Sequence, residues 1–173
     1  MMSRMPTTIR ALLALAALAL AACGSSGDDT TAARQRFIAR TDALCKASNA
    51  RTRALNLRLR RAAVGARDDK QLLRRLAPIL RQGNEPLRDN ATALRASEPP
   101  AADATRVEKI RRVYDQQARL VRKLAGAAAR VEVNRFKALS EEQKDVVIRA
   151  RSLTHDYGFK ECGSSKSDVS VQQ

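Results

Sequence analysis

The chain reads as all-α: an up-down antiparallel four-helix bundle with long bent helices. Three observations lead there. Alanine, arginine and leucine dominate, and these are strong helix formers. Apolar positions recur at steps of three and four over long stretches. No stretch alternates apolar and polar residues over a strand's length, and only seven Gly and five Pro punctuate 173 residues. Hydrophobic residues make up 44% with no Trp, so the core must come from Leu, Val, Ile and Ala.

Before the helices comes a segment of a different kind. Residues 1–10 carry Arg4 and Arg10 and no acid, and residues 11–22 are uncharged and apolar. A membrane-spanning helix needs about 20 apolar residues, so this run is too short to span. A charged start, a short apolar core and small residues before a cut describe an export signal, residues 1–22, to be set aside from the fold. It closes on Leu20-Ala21-Ala22-Cys23. This resembles the lipobox of bacterial lipoproteins. The resemblance implies a diacylglyceryl thioether on the Cys23 sulfur and cleavage before that residue. Two acyl chains anchor stably where one is marginal. The alternative is an ordinary secretory signal with a chance cysteine. Residues 23–31 are polar and rich in Gly, Ser and Asp, and read as a lipidated flexible tether. The bundle domain is assigned to residues 32–163, and residues 164–173 to a disordered tail.

Helix 1 is expected over about residues 31–63. Phe37, Thr41, Leu44, Ser48, Thr52, Leu55, Leu59 and Ala62 make one face, with Cys45 on its edge. Gly65 can cap the exit. Asp68 and Asp69 open helix 2, where the dipole favours acids. Its face is Leu72, Leu76, Leu80, Gly83, Leu87, Asn90 and Leu94. Pro78 and Pro86 fall inside it and each removes a backbone donor. The unbroken phase argues for one bent helix; a full break with Asn84 capping a new helix is the alternative.

Glu98-Pro99-Pro100-Ala101 is the clearest turn. Helix 3 is expected over about residues 103–133, with Val107, Ile110, Tyr114, Gln117, Val121, Leu124, Ala128 and Val131 as its seam. Coiled-coil dimerisation is the alternative use of such a seam, but four amphipathic segments in one chain can satisfy each other. Residues 134–139 read as a short connection. Ser140 with Gln143 three later gives a capping box for helix 4. That helix carries Val146, Val147, Ala150, Leu153 and Tyr157, with Gly158 as C′ residue and Phe159 folding back in a Schellman-type contact.

Three cysteines are encoded. With Cys23 taken by lipid, Cys45 and Cys162 remain as an even pair in an oxidising compartment. In an up-down bundle helix 4 returns beside helix 1, and Cys162 falls near the height of Cys45. Free thiols or intermolecular bridges are the alternative. No CxxC is present, so neither a redox motif nor a zinc knuckle is supported.

Two stretches resemble a family of small, largely uncharacterised actinobacterial lipoproteins. One is Phe37-Ile38-Ala39-Arg40-Thr41-Asp42-Ala43-Leu44-Cys45, with Asn49 four further on; the other is Tyr157-Gly158-Phe159-Lys160-Glu161-Cys162-Gly163. Thr41 and Leu44 depart mildly from the family pattern. The resemblance covers the two ends of the domain. It implies an exported, disulfide-closed helical domain, and no reaction.

Catalytic groups are scarce. His155 is the only histidine, which excludes the Glu-x-x-His pairs of di-iron bundles. Its neighbour Asp156 points about 100° away on a helix, so the two do not form an acid-base pair. No nucleophile elbow, phosphate loop or dinucleotide fingerprint occurs, and no cofactor is expected. Asn90-Ala91-Thr92 matches a glycosylation triplet but falls within a helix.

What stands out is charge: 33 basic against 18 acidic residues, a formal net charge of +15. Arginines far outnumber lysines, a pattern that genome composition alone can produce. The candidate anion-binding residues are Arg51, Arg58, Arg60 and Arg61 on helix 1, and Lys109, Arg112, Arg119 and Lys123 on helix 3, the latter on one stripe. Either they form a surface for phosphate-rich polymers or lipids, or they are a solvated face. Nucleic acid is not an expected partner, because the chain is exported and lacks aromatic stacking platforms. The reading is a lipid-anchored, non-catalytic helical module on the extracytoplasmic face of the cell membrane. It would bind an anionic envelope polymer or a partner protein. The alternative is a small-ligand binding protein or enzyme with a pocket between helices, near Pro78 and Pro86.

Overall fold

The computed structural model describes residues 26–163. The signal segment, Cys23 and the tail at 164–173 lie outside the described residues. Within them the fold is all-α, as expected: α1 (Ser26–Ala63), α2 (Asp69–Ala96), a 3-10 turn (Ala101–Asp103), α3 (Ala104–Ala129) and α4 (Val133–Tyr157). Each helix packs along its predecessor, which the short connections enforce. The expectation that helix 4 returns beside helix 1 is not met: α1 and α4 do not pack along their lengths, because α2 and α3 lie between them in the order of packing. α1 and α4 are joined through the end of α4 and the segment after it.

The helix starts and stops differ from expectation in two places. α1 begins at Ser26, so the stretch to Thr31 that read as flexible tether is its first turns. Asp29 stands there, where the helix dipole favours acids. The second difference is larger. α3 ends at Ala129 and α4 starts at Val133, so residues 134–139 are helix rather than connection. The turn closes with Glu132 N–H donating to Ala127 O (2.9 Å) and Val131 N–H to Ala128 O (3.1 Å). This is a Schellman arrangement with Val131 in the left-handed position, at φ 58°. A β-branched residue there hides the turn from sequence, since glycine is the usual occupant. Ser140 is no cap. Its hydroxyl donates to Phe136 O (2.8 Å) inside α4. Leu139 is buried, and Phe136 is half-buried between both core clusters, so tertiary packing overrides the local capping pattern.

α2 is one unbroken helix through Pro78, Gly83, Asn84 and Pro86. Its start is capped as the acids suggest: Asp68 Oδ1 accepts from Gln71 N–H (2.7 Å), while Gln71 Oε1 accepts from Arg67 N–H (2.8 Å). Pro86 is buried and its carbonyl accepts from the Ser48 hydroxyl (2.7 Å). Pro86 is thus packed against α1, whereas Pro78 is exposed.

The main core joins Phe37, Leu94, Val107, Ile110, Leu120, Val146 and their neighbours. A smaller cluster, Leu73, Ala77 and Ala128, closes the far end. On α1 the buried stripe runs through Cys45 (fully buried), not Leu44 (51% exposed). Steps of four from Phe37 through Thr41 to Cys45 place the cysteine on the inward line.

Candidate functional site

The residues of the two end motifs meet in one structure, a clamp that ties the segment after α4 onto α1. Phe37 lies with its ring centroid 5.9 Å from both Tyr157 and Phe159, and the last two are 5.1 Å apart. Such clusters contribute beyond their buried area. Asp42 is the polar centre. Its carboxylate accepts three backbone N–H groups: Lys160 (2.8 Å), Glu161 (3.0 Å) and Cys162 (2.9 Å). Asn49 Nδ2 donates to Glu161 O (2.9 Å). Cys45 and Cys162 are bonded, and both are buried.

The glycines have equally local reasons. Gly158 sits at φ +104° as the C′ residue of α4. There Phe159 N–H donates to Thr154 O and Gly158 N–H to His155 O, the Schellman pair expected. Gly163 sits at φ +83°, where a Cβ would come 2.1 Å from Thr154 Oγ1. The Asp42 carboxylate and the Asn49 amide of the clamp are thus engaged in holding the chain.

A second polar node lies beside it. Asp103, 5% exposed, takes Arg34 Nε (2.7 Å) and Nη2 (2.5 Å) on its two oxygens, and the Tyr157 hydroxyl donates to it (3.1 Å). The Arg34 hydrogen bonds hold the Asp103 carboxyl below its ordinary range, against the opposing effect of burial. Burial, then donation to Asp103, pushes the Tyr157 hydroxyl up to about 12. Arg106 packs over the Tyr157 ring, 5.6 Å from its centroid, and its Nη2 donates to Asp156 O (2.5 Å).

The candidate anion-binding residues divide. On α1, Arg51 pairs with Asp89, Arg58 donates to Gln82 Oε1 (2.6 Å), and Arg60 also has a partner. Half of that patch therefore serves α1–α2 packing; Arg61 is exposed. On α3 the same happens to Arg111, whose Nε and Nη2 donate to Leu94 O (3.0 Å) and Ser97 O (2.9 Å) and so cap the end of α2.

Lys109, Arg112 and Arg119 instead line an open groove of about 550 Å³ between α3 and α4, facing Arg149. Lys123 is exposed further along α3. On the other side of Arg119 a second groove of about 310 Å³, against α2, is lined by Arg88, Arg95 and Arg122. Asp115 lies in both and is paired with Arg95.

His155 and Asp156 do meet, contrary to the expectation from their helix angle: Nδ1 lies 3.5 Å from the Asp156 carboxylate, because both side chains are exposed and long enough to bend toward each other at the end of α4. Asn90 of the glycosylation triplet is buried. Among the described residues no helix is long and apolar enough to cross a membrane. Sequence reasoning marked the motif around Asp42 but not its three-fold acceptor role. It missed Arg34, Asp103 and Arg149 altogether, because nothing in their local sequence tells what faces them. No protein-family model, curated protein or solved structure matches the chain.

Proposed function

We propose that the chain is an exported lipoprotein of the cell envelope. Cys23 holds it on the extracytoplasmic face of the cell membrane, and it acts by binding rather than by catalysis. The observation carrying this reading is the Cys45–Cys162 bridge. It leaves Cys23 as the one cysteine for acylation, and structural disulfides persist in oxidising compartments. Two further features support it. The motif residues Asp42 and Asn49 engage backbone rather than a reactive partner. The cationic surface suits an anionic component of the envelope. Kinship with small actinobacterial lipoproteins belongs to the same reading, and the meeting of both end motifs in one clamp supports it.

The test is intact-mass analysis and fractionation of the full chain made in an actinobacterial host. The expected product starts at Cys23, carries a diacylglyceryl adduct there, stays with the membrane and shows no alkylatable thiol before reduction. A soluble, unacylated chain, or two free thiols, refutes it.

A further inference from the structure

We propose that the groove between α3 and α4 binds a linear phosphodiester polymer; its placement in the envelope rests on the export reading above. Four cations line this groove, three from α3 and Arg149 from α4. The one carboxylate among them, Asp115, is taken by Arg95 of α2 from the other side. Lys109, Arg119 and Arg149 have no carboxylate within ion-pair distance among the described residues, and Arg112 shares only the part-exposed Glu108. The charge of this groove is therefore only partly compensated, in contrast to Arg51, Arg58, Arg106 and Arg111, which hold parts of the fold together.

Shape and spacing select the ligand class. The groove is open to solvent rather than enclosed, so it suits a chain lying across it rather than a single enclosed ion. Lys109, Arg112, Gln116 and Arg119 follow at three- and four-residue steps, about 5 Å apart and about 15 Å end to end. Several charges on one chain can therefore be held at once, which multiplies weak contacts. The floor is partly apolar, with Val113 buried and Leu153 half-buried. Cations alternating with apolar floor match a polymer that alternates phosphates with short carbon units. Guanidinium groups present paired donors to phosphate oxygens. A flat bilayer meets ridges before it meets a recessed floor, so the polymer is the favoured source of phosphate.

The experiment uses the full chain with Cys23→Ser, which removes the lipid and leaves the other two cysteines paired. Four probes are titrated at physiological salt: poly(glycerol phosphate), polyglutamate of matched length, inorganic phosphate, and phosphatidylglycerol vesicles. Poly(glycerol phosphate) is expected to bind most tightly, with an affinity that falls steeply as salt rises. Arg119→Glu with Arg149→Glu should lower that affinity about a hundredfold, while Arg36→Glu with Arg53→Glu, the same charge change at exposed positions of α1, should lower it less than about threefold. Arg119→Gln with Arg149→Gln serves if the reversed pair does not fold. Equal losses from the two pairs overturn the site. Polyglutamate or vesicles binding as tightly as the polymer overturn the ligand class, and no polymer binding overturns both. An unacylated, soluble native chain removes the export reading and leaves this solution measurement untouched.

Discussion

Replacing Asp42 by Ala tests whether the clamp is held by a single carboxylate. Asp42 is 8% exposed and accepts three backbone N–H groups between 2.8 and 3.0 Å. A hydrogen bond to a charged group is worth about 1.5–3 kcal/mol net. The Lys160 N–H lies at an exposed residue and recovers water, whereas Cys162 is buried and its N–H is left unpaired. The loss should therefore fall at about 3–5 kcal/mol, a large share of the roughly 5–15 kcal/mol that holds a domain together. Urea unfolding reads it: for a slope near 2 kcal/mol/M the midpoint moves by about 2 M.

The bridge provides the control. Cross-linking residues 117 apart removes unfolded-state entropy, worth about 4–5 kcal/mol by loop length. Asp42 and the bridge hold the same segment, so the loss on Asp42→Ala should be larger in Cys45→Ser/Cys162→Ser protein than in the oxidised protein. Losses below about 1 kcal/mol in both backgrounds would mean that the carboxylate is incidental and the aromatic cluster holds the clamp.

Other substitutions read other parts of the fold. Gly163→Ala should cost more than about 2 kcal/mol, because a Cβ meets Thr154 Oγ1 at 2.1 Å and φ is +83°; Gly83→Ala, with open space inside α2, should stabilise by about 0.5–1 kcal/mol. Thermal melts compare the two, and equal effects would remove the packing account. Val131→Gly should stabilise by about 1 kcal/mol, since a β-branched residue holds φ 58° there; a lower melting temperature would contradict the strain.

Asp103→Asn tests the node beside the clamp. The Asp103 carboxyl is held below its ordinary 3.8 in the folded chain, so its stabilisation is present above that pH and fades as pH falls through the lowered value. The variant should lose about 1–2 kcal/mol near neutrality, with Arg34 half-exposed, and the gap should narrow in acid. Urea midpoints measured across pH check this, and a gap that does not change with pH would refute it.

By itself the sequence determined the helical class, the proline turn at Pro99 and Pro100, the helix start at Asp68 and the cap at Gly158, and it made Cys45–Cys162 the expected pair, which the structure shows although α4 does not lie beside α1 as that expectation assumed. These rest on composition, periodicity and turn chemistry, which act over a few residues, and on counting thiols. Only the tertiary structure decided where the third turn falls. Val131 adopts a glycine's conformation because Phe136 and Leu139 must reach the core, and that pressure acts across helices. The same holds for charge. Arg106, Arg111, Arg112 and Arg119 look alike along α3, yet two cap neighbouring helices and two face a groove. What a guanidinium does depends on the group brought opposite to it, and packing alone places that group.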